Sequence, residues 1–244
     1  MLTFLKDIDG PFYFGIGGLG DFLLLMSTFY DDVDQDEVSV VFICNNCSTI
    51  LKLSKMFPKI KLFHFLPRQA IALDGLWNRL TRHEFCKGTG ITPENFDYVK
   101  EWNKIGELNS DVFEYYGVRK HPKWANSDLK NDKIVIQPFG GADDPTKVKS
   151  IPYHDLLNFA MTEQEKIVIG SKRDINRLHK DLFINTEFVS DMPTVWNSIV
   201  SCKEFVGADS WGKTLAAFAN VPVTIFPRSC NRATIIILSS LIDG

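Results

Sequence analysis

Asp21 directly follows a glycine-rich segment, Gly15-Ile16-Gly17-Gly18-Leu19-Gly20. Such a segment lets backbone approach a ligand closely and aims a helix N-terminus at it, and a carboxylate there can take a proton from a hydroxyl. A second stretch, Gly207-Ala208-Asp209-Ser210-Trp211-Gly212-Lys213, offers the complementary chemistry. A strand ending at Gly207, a helix capped by Asp209-Ser210, the amides of Trp211, Gly212 and Lys213 and the Lys213 ammonium together make a cradle for a diphosphate. The plainer reading of those residues is a capped core helix with a surface lysine. For Asp21 it is a carboxylate that steadies a helix dipole.

The first segment also spells G-x-G-x-x-G, a dinucleotide fingerprint. That fingerprint requires an acid for the ribose hydroxyls at the end of the second strand, and here the strand runs out in Ile43-Cys44-Asn45-Asn46. Asp21 would also repel a pyrophosphate seated on its own helix end. Both points weigh against a nicotinamide or flavin enzyme and move the phosphates to the second half. Asp143 and Asp144 are rival bases whose simpler role is a solvated loop, and His154 and His179 read as surface residues. Cys44, Cys47, His83 and Cys86 have zinc-ligand chemistry, and Cys44 with Cys47 has redox spacing, yet ordinary thiols are the expectation and no metal is assigned.

These residues must be carried by alternating elements. In the first half, Pro11–Phe14 reads as a strand and Gly15–Gly20 as its loop. Val38–Ile43 is a second strand, Ser48–Phe57 a helix with Ile50, Leu53 and Phe57 in phase, and Lys59–Leu66 a third strand. Gln69–Arg82 and Asp97–Lys104 have helical patterns, and the acidic run Asp31–Glu37 reads as a solvated turn. Val118–Lys133 lacks periodicity and reads as a linker between a domain at 1–120 and one at 133–244. The alternation then restarts with strands at Ile134–Ile136, Lys166–Ile169, Glu187–Val189, Glu204–Val206 and Pro222–Phe226. Helices are expected at Pro152–Ala160, Asp174–Leu182, Thr194–Ser201 and Lys213–Ala219. The order implies an α/β chain of two doubly wound, Rossmann-type domains facing a cleft, with ligands at the carboxyl ends of the strands.

The 244 residues are 45% apolar and 23% charged, with a net charge of −3 and a pI near 6.0. That composition suits a globular chain and gives no general attraction to nucleic acid or anionic membranes. Apolar runs such as Phe22–Met26 and Thr234–Leu238 fall far short of the ~20 residues that a membrane span needs. Lys6, Asp7 and Asp9 interrupt any secretory leader, and five cysteines without a framework suit a reducing, cytoplasmic setting.

At the level of short patches, the chain resembles the heptosyltransferase-type (family 9) glycosyltransferases of the two-Rossmann-domain GT-B class. Gly207, Asp209, Ser210, Leu215, Ala216, Ala217, Pro222 and Phe226 fit the family's G-x-D-[ST]-G-x-x-H-[LM]-A-A and following strand, with one extra residue between Ser210 and Leu215. Ile134–Phe139 with Gly140-Gly141 and Lys149-Ser150-Ile151-Pro152 resemble its strand, glycine loop and K-x-[WL]-P. Lys166–Gly170 and Met192–Trp196 resemble later segments, and Leu19–Leu23 matches its x-G-D-[VIA]-[LI]. Trp211 stands where the family has Gly, and Thr214 where it has His. The resemblance implies sugar transfer from a nucleotide-diphosphate sugar to an acceptor hydroxyl, with Asp21 as base. Gly18, Gly20, Gly140, Lys149, Gly170, Ser171, Met192, Asp209, Ser210, Trp211, Gly212 and Lys213 are assigned to substrate and donor, with Lys147 as an alternate for Lys149. One base without a second carboxylate implies inversion, with neither metal nor cofactor. The resemblance implies a saccharide of a cell-surface polymer as acceptor, although compact GT-B transferases also glycosylate protein side chains. Alternatives are a non-catalytic nucleotide-binding protein, or transfer to a hydroxymethylated DNA base, for which Arg79, Arg82, His83 and Lys87 are the local hint.

Overall fold

The computed structural model describes residues 12–16, 18–33, 39–44, 47–60, 62–67, 121–140 and 149–226. The chain divides into two compact units, Met1–Val118 and Arg119–Gly244.

In the first unit, β1 (Phe12–Ile16), β2 (Ser39–Cys44) and β3 (Leu62–Pro67) form a parallel sheet in the order β1-β2-β3, with α1 (Leu19–Phe29) and α2 (Cys47–Ser54) as the crossovers. Parallel neighbours require such crossovers, so the helices follow from the strand order. Phe22, Leu23, Met26 and Phe29 recur at helical spacing along α1 and are buried. The Phe22 ring meets Phe42 and Phe57 edge-on at centroid distances of 5.4 and 5.7 Å, joining helix, sheet and the turn after α2. The glycine segment is shorter than expected as a loop. Gly15 lies inside β1, opposite Phe42, and Leu19-Gly20 already belong to α1. Glycine can adopt extended backbone as well as loop conformations, at some cost to a strand, which is why the spelling alone misplaced the boundary.

The second unit is built on β4 (Ile134–Gln137), β7 (Lys166–Ile169), β8 (Thr186–Val189), β9 (Glu204–Ala208) and β10 (Val223–Phe226). All pair in parallel, in the order β10-β9-β4-β7-β8. A two-residue antiparallel ribbon, β5 (Phe139–Gly140) with β6 (Lys149–Ser150), extends from the end of β4. The helices are α3 (Tyr153–Ala160), α4 (Lys172–Ile175), α5 (Met192–Ser201) and α6 (Trp211–Phe218). β4 and β7 are buried at every position, as strands covered on both faces must be. Ile134, Ile136, Ile151, Leu156, Val168 and Val206 make one cluster of that core, each apolar side chain worth about 1.5–3 kcal/mol when fully buried.

Two expectations are corrected in this unit. The helix expected over Asp174–Leu182 is broken into α4 and a single turn at Lys180–Leu182. Ser171 starts α4 early by accepting the Asp174 N–H at 3.1 Å. The break lets Leu178 and Phe183 pack against the core while Leu182 stays exposed. The described part of the expected linker, residues 121–133, is docked onto the unit. Trp124 lies 5.7 Å from the Trp196 ring and 5.5 Å from Phe218, and Ala125 is fully buried. Asn131 N–H and Lys130 Nζ donate to the carbonyls of Ser201 and Val200. Polar breakers concealed this anchoring, because two apolar residues cannot produce a period. Among the described residues no helix is long and apolar enough to cross a membrane.

Candidate functional site

Strand order locates the site in the second unit. Strands are added outward from β4 through β7 to β8, and then on the other side of β4 as β9 and β10, so the strand order reverses between β4 and β9, the switch point at which doubly wound sheets bind ligands beyond their carboxyl ends. Gln137 ends β4, and Asp209 and Ser210 follow β9 directly, so these residues meet at that switch point. The ribbon then brings Lys149 beside Gly140, its paired residue. Gly140 is required by its surroundings, since a Cβ there would stand 2.6 Å from the Ser210 Cβ and 3.3 Å from the Asp209 carbonyl oxygen.

Asp209 is the centre of the arrangement. Its Oδ2 accepts a 2.5 Å hydrogen bond from Lys149 Nζ, and its Oδ1 pairs with Lys213 Nζ one helical turn further along α6. Asp209 and Lys213 are only 4% and 2% exposed, whereas Lys149 is 27% exposed. A buried charge must be paired, and here two ammonium groups share one carboxylate. Taken together, the two ammonium groups and one carboxylate sum to one net positive charge, and Lys149 is the more accessible of the two lysines.

Ser210 occupies the N-cap position of α6 but its side chain does not cap. Its Oγ donates instead to Gln137 Oε1 at 2.7 Å, tying the helix start to the end of β4. Gly212 packs where any Cβ would collide with Gln137 Oε1 and the Phe205 ring. Gln137 takes part in this arrangement, although the sequence did not single it out. The available signal was a polar residue ending the apolar run Ile134–Ile136. Trp211, the first residue of α6, is half-buried beside this switch point.

The remaining assigned residues of this unit lie along the same sheet edge. Gly170 and Ser171 follow β7, and Met192 opens α5 after β8. Asp191 caps α5 by accepting the Thr194 N–H at 2.9 Å, and hydrogen bonding from Thr194 lowers its carboxyl below the ordinary aspartate range. At the opposite edge, burial lowers the ammonium of Lys166, which donates to the Thr162 and Gln164 carbonyls at 2.5 and 2.7 Å. Burial likewise pushes the Cys202 thiol up to about 11. His154 and His179 are exposed, as expected.

In the first unit, Asp21 is the third residue of α1, and its Oδ2 accepts the Gly18 N–H at 2.7 Å. The carboxylate thus performs the capping role expected of an acid in a first helical turn. Gly18 is the N-cap and Gly20 lies in the first turn. Cys44 is buried at the end of β2, and Cys47 begins α2. Among the described residues no group of three or more His, Cys, Asp or Glu side chains is placed to hold a metal ion. Gly17, Asn45, Asn46, Arg79, Arg82, His83, Cys86, Lys87, Gly141, Asp143, Asp144 and Lys147 lie outside the described residues, as do the helices expected over 69–82 and 97–104.

Parallel sheets with helical crossovers in both units, and a switch in strand order in the second, make this an α/β protein of Rossmann type, and comparison with a solved structure makes its fold GT-B-like. The glycosyl transferase family 9 structure from Veillonella parvula has a similar fold, with a TM-score of 0.50 over 90% of this chain and 82% of that one, at 11% identity. E. coli heptosyltransferase WaaC, solved with ADP, covers 95% of this chain and 98% of its own at 11% identity and a TM-score of 0.48. E. coli ADP-heptose LPS heptosyltransferase II covers 91% and 86% at 15% identity and a TM-score of 0.44. No protein-family model and no curated protein sequence matches the chain.

Proposed function

We propose that the protein is a glycosyltransferase that moves a sugar from a nucleotide-diphosphate donor to an acceptor hydroxyl. The observation that carries the proposal is the Lys149–Asp209–Lys213 cluster, with its net positive charge at the switch point and the uncapped start of α6. That combination suits a diphosphate, whose charge is met by an ammonium group and by helix amides. Gly140 and Gly212 let Ser210, Gln137 and Phe205 pack closely around the cluster, and Gly170, Ser171 and Met192, along the same edge, suit a nucleoside. The similar fold of the Veillonella parvula family 9 glycosyl transferase supports the same reading.

In the proposed reaction Asp21 takes the proton of the acceptor hydroxyl as its oxygen attacks the sugar's anomeric carbon. The bond to the diphosphate breaks on the opposite face, and the departing charge is stabilised by Lys149 and the amides of Trp211 and Gly212. Gly18 holds the Asp21 carboxylate in one orientation through its N–H, and Gly18 and Gly20 keep that helix end accessible to the acceptor. Direct displacement inverts the anomeric centre and needs neither metal nor cofactor. A saccharide is the proposed acceptor.

Thermal denaturation with UDP-, GDP- and ADP-sugars tests the donor site, with one nucleotide class expected to raise the melting temperature. Donor turnover is expected to vanish in Asp21→Asn while that stabilisation persists. Stabilisation without turnover in the unaltered protein would favour a nucleotide-binding protein without catalysis. Retention of anomeric configuration in the product would overturn the single-base mechanism.

A further inference from the structure

The buried lysine of the cluster has a different task from the exposed one. Lys213 is 2% exposed and is paired with Asp209 one turn back on its own helix, so its ammonium is turned toward the carboxylate and covered. Lys149 is 27% exposed, belongs to the two-residue strand β6, and reaches the other oxygen of the same carboxylate. If Asp209 had only Lys149 as counterion, that lysine would be held by a buried carboxylate, and an incoming anion would have to break the pair in a low dielectric.

We propose that Lys213 is a positioning residue: it neutralises Asp209 from beneath, so that Lys149 can leave Asp209 for the donor's diphosphate. The inference rests on the reading of this switch point as the diphosphate site, and it assigns the two lysines opposite roles. Lys149 touches the anion. Lys213 never does, and acts by keeping Asp209 paired after Lys149 has moved.

Calorimetric titration of the full chain with ADP, GDP, UDP and inorganic pyrophosphate tests this through a double-mutant cycle. For the diphosphate that the unaltered protein binds, Lys149→Met is expected to weaken affinity about tenfold or more, as loss of a charged contact does. Lys213→Met is expected to weaken it by a similar factor, and Lys213→Arg to retain it within about threefold, because either cation can pair with Asp209. The deciding comparison is made with Asp209→Asn. Adding Lys213→Met to Asp209→Asn should change affinity by less than about twofold, since the Asp209 charge that Lys213 neutralises is then absent. This comparison does not depend on Lys213→Met folding alone, and melting curves without ligand establish that each variant compared is folded. An equal loss from Lys213→Met in both backgrounds would show a direct contact and overturn the inference while leaving the diphosphate site standing. Failure of the unaltered protein to bind any of the four probes would overturn the site itself.

Discussion

Two helix starts in this molecule share a sequence signature and differ in physical state. At α1, Asp21 lies within the first turn after Gly18 and accepts that residue's N–H. At α6, Asp209 precedes the helix, is nearly inaccessible, and holds one lysine on each carboxylate oxygen. A glycine, an acid and an apolar run thus encode a cap in one place and a buried ion cluster in the other. What separates them is the presence of a lysine one turn downstream and of a ribbon that delivers a second. The acid alone says little about its role.

That contrast can be broken or sharpened experimentally. The largest effect expected is kinetic: Asp21→Asn lowers turnover by about 10²–10⁴-fold, the range for general-base catalysis, with little change in melting temperature. A variant that keeps full turnover would reduce Asp21 to a cap. Next comes Lys213→Met, which leaves a buried carboxylate short of one partner and should cost about 3–5 kcal/mol in denaturant unfolding. Adding Asp209→Asn should recover part of that loss, whereas no recovery would mean that Lys213 is merely packed. Gly140→Ala forces a methyl against Ser210 and should cost about 1–3 kcal/mol, with weaker donor binding alongside.

The smallest effect concerns a third helix start, where Asp191 caps α5 in full contact with solvent. Its carboxyl is lowered by hydrogen bonding in the folded state, so its contribution is present above the ordinary aspartate value of about 4 and is lost as pH falls through the lowered one. Asp191→Ala should therefore lower the melting temperature slightly at pH 7 and leave it unchanged once the solution is well below pH 4. A difference that persists in acid would mean that the side chain contributes by packing.

Much of the architecture was legible from the chain. Ile134–Ile136, Lys166–Ile169 and Glu204–Val206 mark strands because a parallel strand covered on both faces needs continuous apolar residues. Asp209-Ser210 before an apolar helix and Gly140 after β4 pointed to the sheet edge where Lys149, Asp209 and Lys213 meet. Other features depend on partners far apart in sequence. Ser210 binds Gln137, which is 73 positions away, so its loss of the capping role cannot be read locally. Lys213 four residues after Asp209 looks like an ordinary surface pair on a helix, and only packing of the helix onto β9 shows it to be interior. Gly15 in β1 is ambiguous for the opposite reason, since glycine tolerates both conformations on offer.

The docking of Trp124 also sets where this unit can be cut. A fragment beginning at Lys133 would uncover the rings of Trp196 and Phe218 and strip Ser201 and Val200 of their hydrogen-bond donors, whereas one beginning at Arg119 would keep them covered. In evolutionary terms, the segment that joins the two halves is not neutral spacer. From Pro122 to Lys133 the chain is committed to the unit that it introduces.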